Sequence, residues 1–204
     1  MITIIDYGMG NLGSIANMFR KLGVEAVVSH SADDIDRAEK LILPGVGSFD
    51  HGMRNLRERG LIPVLEDQVH RRATPLLGIC LGMQLMGRGS AEGCEPGLGW
   101  IDADNVRLRP GPDNDRLKVP HMGWNTVRLA AGGPDSLGRD SRFYFVHSFH
   151  LACRDDGDVL AWTTYGVPFV SAVRRDNLLG VQFHPEKSHR FGLRLLGDFA
   201  EGRC

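Results

Sequence analysis

Four short, largely apolar runs punctuate the first eighty residues, at 2–5, 25–29, 40–43 and 74–79. Runs this short and this apolar suit strands buried on both faces, with helices or loops between them. Residues 11–22 place Leu12, Ile15, Ala16, Phe19 and Leu22 near a 3.6-residue period, which predicts a helix stopped by Gly23. A second helix is expected over 62–72, ahead of the fourth run. Such alternation admits few solutions other than crossover units and a mainly parallel sheet with helices on both faces.

After Gly97 the texture changes. Strand candidates follow at 101–109, 124–129, 142–147, 159–164, 169–174 and 178–183, separated by polar turns. Asp155-Asp156-Gly157 reads as a hairpin turn, and Arg175-Asp176-Asn177 is a second polar turn. Antiparallel pairing is expected here, extending the first sheet or adding a small second one. Residues 110–115 read as a surface loop, and a helix over 190–200 closes the chain. The expected class is α/β, a mainly parallel central sheet flanked by helices with antiparallel strands added in the C-terminal half. No repeat, low-complexity tract or linker divides it, so residues 1–204 read as one domain.

Charge excludes some functions. Lys and Arg number 24 against 25 Asp and Glu, so the chain has no strongly basic nucleic-acid footprint and no polybasic membrane anchor. No stretch approaches the roughly 18 apolar residues of a membrane span, and residues 1–6 read as a first strand and not as a signal peptide. Cys80, Cys94, Cys153 and Cys204 are scattered, with no C-x-x-C pair; reduced thiols in a cytoplasm are expected.

One of those cysteines sits in Gly78-Ile79-Cys80-Leu81-Gly82, between the fourth strand and an apparent helix over 83–86. This is the nucleophile-elbow pattern with cysteine in the serine position. A nucleophile at a strand-to-helix bend needs a strained backbone, and side chains two residues to either side would collide. The helix that follows points amides at the sulfur and favours a thiolate. Taken alone, the pentapeptide fits a buried cysteine in a glycine-rich turn equally well.

A second constellation, Gln182-Phe183-His184-Pro185-Glu186, follows a strand. A carboxylate two residues beyond a histidine can bond one ring nitrogen and fix the tautomer of a general base. Taken alone it reads better as two solvated loop residues. Both constellations lie at predicted C-terminal strand ends, where sites assemble in open α/β sheets, and together they favour catalysis. Leu43-Pro44-Gly45-Val46-Gly47 ends the third strand, and its glycines free the backbone to aim amides outward. With the Leu81 amide it forms a candidate oxyanion hole, whose peptides can also flip between poised and unpoised states. A fourth pattern, Gly8-x-Gly10-x-x-Gly13, matches the dinucleotide fingerprint, but Val28, Ser29 and His30 stand where its ribose-binding acid belongs.

At these residues the sequence resembles the triad-type glutamine amidotransferases. The segments 78–84 and 183–186 carry the likeness. Asp6-Tyr7-Gly8-Met9-Gly10-Asn11-Leu12, Pro44 to Phe49, Pro120-His121-Met122-Gly123-Trp124-Asn125, Tyr144 to Ser148 and His184 to Ser188 narrow it to the glutaminase subunits of imidazole glycerol phosphate synthases. The motifs run from residue 6 to residue 188, nearly the whole chain.

The resemblance implies Cys80 as nucleophile, His184 as general base and acid, and Glu186 as the carboxylate orienting it. Gly45, Val46, Gly47 and Leu81 would supply oxyanion amides. Gln84 and Glu92 would hold glutamine, Glu92 at its α-amino group, with His147, Ser148 and Phe149 as the edge along which it lies. Trp124, Tyr144 and Lys187 would meet the partner, a (βα)8 barrel receiving ammonia. No metal or organic cofactor is implied. Several residues have a plainer reading: Trp124 as core aromatic, Glu92 as solvated, His121 and His147 as backbone hydrogen-bonders. His51, His70, His150 and His189 read as surface or structural.

Two departures from the family pattern, Phe149-His150 after Ser148 and Arg88-Gly89 after the nucleophile helix, leave open a paralogous glutaminase feeding amidation of a surface-polysaccharide sugar. A cysteine hydrolase or peptidase of related fold, a relic binding module and a dinucleotide oxidoreductase are the rivals from other classes.

Overall fold

The structure is a computed structural model and describes residues 1–111, 117–130, 133–138 and 141–204. Most of the loop expected at 110–115 therefore lies outside the described residues.

The first half alternates as its apolar runs predict: β1 (Ile2–Ile5), α1 (Leu12–Lys21), β2 (Ala26–Ser29), α2 (Ala32–Asp36), β3 (Lys40–Leu43), α3 (Phe49–Glu58), α4 (Ile62–Glu66), β4 (Leu76–Ile79) and α5 (Leu81–Leu85). The helix expected over 62–72 is shorter. After α4 the chain widens into a turn over Asp67–Arg71, closed by Arg72 N donating to Asp67 O. Then come β5 (Gly89–Ser90), β6 (Ala103–Arg107), β7 (His121–Thr126), β8 (Arg128–Leu129), β9 (Arg142–His147), β10 (Phe149–Cys153), β11 (Val159–Tyr165), β12 (Val167–Arg175), β13 (Leu178–Val181) and α6 (His189–Glu201).

The main sheet runs β2-β1-β3-β4-β13-β12-β11-β8. Strands β2, β1, β3, β4 and β13 pair in parallel; β13-β12, β12-β11 and β11-β8 are antiparallel. The last parallel strand thus comes from the C-terminal half and sits beside β4. Side chains alternate between two cores. Ile2, Ile4, Ile42, Leu77, Ile79, Leu179 and Val181 face α1 and α6, while Ile5, Leu41, Leu43, Leu76 and Leu178 face α2 to α5. Strands β1, β3, β4 and β13 are buried on both faces as expected, but β2, at the edge of the sheet, is not, and its Val28 is exposed.

Two small sheets complete the fold, β10-β6-β5 and β7-β9. Both expected forms of antiparallel pairing therefore occur, extension and addition. The hairpin expected at Asp155-Asp156-Gly157 is absent. Those residues make a tight turn, Asp155 Oδ1 accepting from Gly157 N at 2.8 Å, that carries the chain from β10 in one sheet to β11 in another. The hairpin forms at Arg175-Asp176-Asn177 instead, with Asp176 at φ +50 between β12 and β13. The strand expected at 124–129 is two elements, β7 and β8, which join different sheets. No helix among the described residues is long and apolar enough to cross a membrane.

Candidate active site

The C-terminal ends of β1, β3, β4 and β13 converge on Cys80. Its backbone is strained, at φ +54 and ψ −108, a region non-glycine residues rarely occupy. The glycines on either side are obligatory. A Cβ on Gly82 would lie 1.8 Å from the Leu43 carbonyl oxygen, and one on Gly78 would lie 2.8 Å from the Met83 amide nitrogen. The bend is held to β13 by Cys80 N donating to Val181 O at 2.7 Å. Helix α5 starts at Leu81, two residues earlier than the sequence suggested, so an amide follows the sulfur directly.

His184 and Glu186 are together behind that sulfur. Their side chains are each 1% exposed, and Nδ1 of His184 lies 2.8 Å from Glu186 Oε1. The carboxylate accepts there, which fixes Nδ1 as the protonated nitrogen and turns Nε2 away from it. Nε2 is buried without a hydrogen-bond partner. Burial alone would lower the His184 pKa; the negative charge on Cys80 and the Glu186 carboxylate outweigh it and raise the value to about 10. Glu186 is displaced downward: burial opposes its charge, but the bonds from His184 and Asn11 prevail. This is a cysteine beside a histidine that is itself backed by a carboxylate.

The histidine's backbone is pinned as firmly as its ring. His184 N donates to Tyr144 O at 2.9 Å, Tyr144 N donates to the Ser188 hydroxyl at 3.0 Å, and that hydroxyl donates to His184 O at 2.6 Å.

In front of Cys80 opens a cleft of about 270 Å³. Val46, Gly47, Leu81, Gln84, Glu92, His147, Ser148 and Phe149, all named from the sequence, line it with Cys80, Pro120 and Val146. Gly45 lies beneath, where an added Cβ would be 2.7 Å from both Leu81 Cβ and the Tyr7 hydroxyl. Glu92 is not merely solvated: Oε2 accepts from Phe49 N, the first amide of α3, at 2.9 Å. Both amide hydrogens of Gln84 are engaged internally, by Phe149 O at 2.9 Å and Gln182 Oε1 at 3.0 Å. Only its oxygen remains for a ligand.

Trp124, Tyr144 and Lys187 lie apart from the cleft, on the β7-β9 ribbon and beside it. Trp124 is 39% exposed, so the core reading of it is wrong. It stands opposite Tyr144 in register, the rings 6.4 Å apart edge to face, and Lys187 Nζ lies 5.9 Å from the Tyr144 ring centre. His189 stacks flat on Trp124 at 5.6 Å, a surface contact no motif announced. Met122, 61% exposed, extends the patch. The inner face of the same ribbon carries His121, whose Nδ1 lies 3.0 Å from His147 Nε2; His147 Nδ1 in turn donates to Phe149 O at 2.9 Å. That bond follows the backbone reading for His147, whereas His121 bonds the other ring. Burial depresses both pKa values, to about 4 for His121 and about 3 for His147, so the pair is neutral.

Four residues at the site stand inside motifs quoted from the sequence but were given no role there. Asn11 Nδ2 donates to Glu186 Oε1 at 2.9 Å. Gln182 Nε2 approaches Cys80 Sγ at 3.6 Å. The Tyr7 hydroxyl donates to Pro44 O at 2.6 Å and so holds the candidate oxyanion strand. Ser188 ties His184 to β9. The glycines of the fingerprint pattern explain Asn11: Gly8 and Gly10 take φ +86 and +102, and Gly10 packs so closely that a Cβ would lie 2.9 Å from Pro44 Cβ.

Comparison with known proteins bears on the family and the fold. The family model described as glutamine amidotransferase class-I matches residues 3–201. The chain is 51% identical to imidazole glycerol phosphate synthase subunit HisH 2 of Pseudomonas aeruginosa, over 98% of this chain and 99% of the relative. It is 52% identical to the protein of the same name from Methanococcus maripaludis, over 98% of each. Subunit HisH of Bdellovibrio bacteriovorus is 46% identical over 98% of this chain and all of its own length. Among solved structures, PurLQS from Thermotoga maritima superposes with a TM-score of 0.76 at 18% identity, covering 100% of this chain and 98% of that one. A crystal structure described as a glutamine amidotransferase gives 0.73 at 20% identity, covering 98% of each. At such identities these two bear on the fold alone.

Proposed function

The chain belongs to the class-I glutamine amidotransferases, and from that premise we propose that it hydrolyses glutamine as the HisH-type subunit of an imidazole glycerol phosphate synthase, serving histidine biosynthesis in the cytoplasm. The observation carrying the proposal is a strained Cys80 at a strand end, lining a glutamine-sized cleft and near enough to a buried His184–Glu186 pair to act on the His184 ring.

In this reading the Cys80 thiolate attacks the side-chain carboxamide carbon of glutamine, and the oxygen becomes an oxyanion. Amides of the Gly45–Gly47 strand and of Leu81 stabilise it; one such donor typically contributes about 3–4 kcal/mol. The intermediate collapses as His184 Nε2 gives its proton to the departing nitrogen, leaving a γ-glutamyl thioester and ammonia. The raised pKa of His184 supports its carrying that proton at neutral pH. Neutral His184 then takes a proton from water, hydroxide adds to the thioester, and glutamate leaves with the thiolate restored. Glu92 pairs with the α-ammonium group of glutamine, Gln84 contributes its free oxygen, and His147, Ser148 and Phe149 form the edge beside it. Groups on this chain suffice for each step, so the reading calls for no cofactor or metal.

The partner is a (βα)8 barrel that docks on Trp124, Tyr144 and Lys187 and receives the ammonia. Passage inside the complex keeps ammonia unprotonated and nucleophilic. Because Tyr144 shows its ring to the docking face and gives its carbonyl to His184, docking and the catalytic base share one residue.

The test uses Cys80→Ala in the assembled synthase. Glutamine-dependent turnover should vanish while ammonia-dependent turnover persists. Glutamine-supported activity in the variant would remove Cys80 from the mechanism.

A second reading of the acceptor is favoured by one observation: the relatives from P. aeruginosa and M. maripaludis are both numbered HisH 2. A numbered second copy leaves room for a glutaminase that supplies a sugar-amidating enzyme. Reconstitution with the histidine-pathway barrel decides it. Glutamine-driven formation of imidazole glycerol phosphate supports the first reading, and failure to associate with that barrel supports the second.

A further inference from the structure

The sulfur of Cys80 has a neighbour besides His184. Gln182 is fully buried between the end of β13 and His184, and its Nε2 lies 3.6 Å from Cys80 Sγ. Which end of a glutamine amide faces sulfur is decided by its other end. Here Oε1 of Gln182 meets Nε2 of Gln84, a donor, at 3.0 Å. Gln84 is oriented in turn, because its Nε2 also meets the Phe149 carbonyl, an acceptor, at 2.9 Å. Flipping Gln182 would set donor against donor and put an amide oxygen on the sulfur. The chain of bonds therefore runs one way, from Gln84 to the oxygen of Gln182 and from its nitrogen to Cys80.

A thiolate has lone pairs and no proton, so it gains from a donor aimed at it. A thiol has a proton to place, and here its acceptor is the Val146 carbonyl at a long 3.9 Å. The amide donor of Gln182 thus suits the charged form of the sulfur better than the neutral one.

We propose that Gln182 is a catalytic residue, a carboxamide N–H donor to the Cys80 thiolate, and that Gln84 is the positioning residue that keeps this donor aimed. The proposal rests on Cys80 being the nucleophile. The donor raises the thiolate fraction before attack. It acts again when water opens the thioester, because the sulfur then regains its negative charge as the leaving group. Between those steps the sulfur is a neutral thioester and the bond matters little. Donation weakens the thiolate as a nucleophile by only part of what it adds in thiolate population, since nucleophilicity follows basicity with a slope of about one half.

The test is Gln182→Glu, which keeps size, shape and the acceptor for Gln84 while replacing the donor with a carboxylate oxygen. Gln182→Met, which removes both polar groups, is the second variant. Two quantities are read: the pH midpoint of Cys80 alkylation by iodoacetamide, followed on the Cys80 peptide by mass spectrometry, and glutamine kinetics with the partner subunit. Hydrogen bonds to charged groups and tenfold per pKa unit set the scale. In Gln182→Met the alkylation midpoint should rise by about one to two pH units and kcat should fall about ten- to a hundredfold, with KM for glutamine changed less than about threefold. Gln182→Glu should move the midpoint further in the same direction. Gln84→Met should move it the same way by a smaller amount.

An unmoved midpoint alongside reduced kcat would make Gln182 a packing residue and overturn the proposal. A raised KM alone, with midpoint and kcat unchanged, would overturn it too. Failure of the underlying reading is recognised separately, by glutaminase activity persisting in Cys80→Ala whatever Gln182 does.

Discussion

Asn11 and His184 donate to the same oxygen: Glu186 Oε1 accepts from Asn11 Nδ2 at 2.9 Å and from His184 Nδ1 at 2.8 Å. The other oxygen, Oε2, is buried with no partner. The carboxylate is therefore held from one side only, and Asn11, 175 residues from it in sequence, is half of that hold. A bond to a charged acceptor contributes about 1.5–3 kcal/mol. If that energy orients His184, Asn11→Ala should lower kcat for glutamine about ten- to a hundredfold. Asn11→Asp should cost more, since it sets a second carboxylate beside the first. An unchanged kcat in Asn11→Ala would mean that Glu186 needs no second anchor.

The elbow makes a prediction that separates two glycines of one chain. Alanine at Gly82 drives a Cβ to 1.8 Å from the Leu43 carbonyl, a backbone atom that cannot swing away. Overpacking of this kind typically costs about 1–3 kcal/mol, and this contact belongs at the upper end or beyond. Alanine at Gly13, in α1, meets nothing within 4 Å. There the gain in helix propensity should stabilise the fold by about 0.5–1 kcal/mol. Urea unfolding of the two variants should move in opposite directions.

How much of this was legible beforehand depended on range. The elbow could be read because its pattern is compact: Gly78, Cys80 and Gly82 stand within five residues, although the atom that forbids a side chain at Gly82 is the Leu43 carbonyl of a neighbouring strand. The apolar runs betrayed the parallel strands because burial on both faces leaves no polar alternation to confuse. Strand β10 was invisible for the opposite reason. It follows β9 after the single residue Ser148, so no turn chemistry marks the point where the chain leaves one sheet for another. The turn at Asp155–Gly157 was misread because a tight Asx turn looks alike whether the strand before it pairs with the next one or with β6. Asn11, Gln182 and Tyr7 act through single bonds to residues far away in sequence, which no period or spacing encodes.

Tyr7 anchors the candidate oxyanion strand through one hydrogen bond. Its hydroxyl holds the Pro44 carbonyl at 2.6 Å from a fully buried position, where burial and the charge on Cys80 both raise its pKa and keep it a donor. Tyr7→Phe leaves that carbonyl without its donor, which should cost about 1–3 kcal/mol of stability. It also frees the peptide whose flip would poise or unpoise the Gly45–Gly47 amides. The ratio of partner-stimulated to unstimulated glutaminase rates should therefore shift at least severalfold. A stability loss with an unaltered ratio would assign Tyr7 to the core and not to regulation.

The paired histidines should contribute to the acid limb of stability at its upper end. His121 and His147 are held neutral by burial, with pKa values lowered to about 4 and about 3 from 6.5, and His150 is lowered by the same cause. In the unfolded chain these rings take up a proton as pH falls through 6.5, whereas the folded chain refuses it until much lower. The unfolded state thus binds more protons in this window, and stability falls with falling pH by up to about 1.4 kcal/mol per pH unit for each ring. The contribution is complete above pH 6.5 and lost progressively towards the folded values. The window from pH 6 to 5 lies above the ordinary titration range of carboxylates, so the slope there reports mainly the histidines. His121→Phe keeps the stack with Tyr165 and Phe145, at 4.0 and 4.9 Å, but removes one titrating ring. The variant should lose its share of that slope, measured as unfolding free energy against pH. Because the bond to His147 goes too, it should also raise KM for glutamine, since His147, which with Gln84 holds the Phe149 carbonyl at the edge of the cleft, then loses its own anchor. A slope identical to that of the parent chain would mean that His121 is charged in the folded state and that the two rings are not a neutral hydrogen-bonded pair.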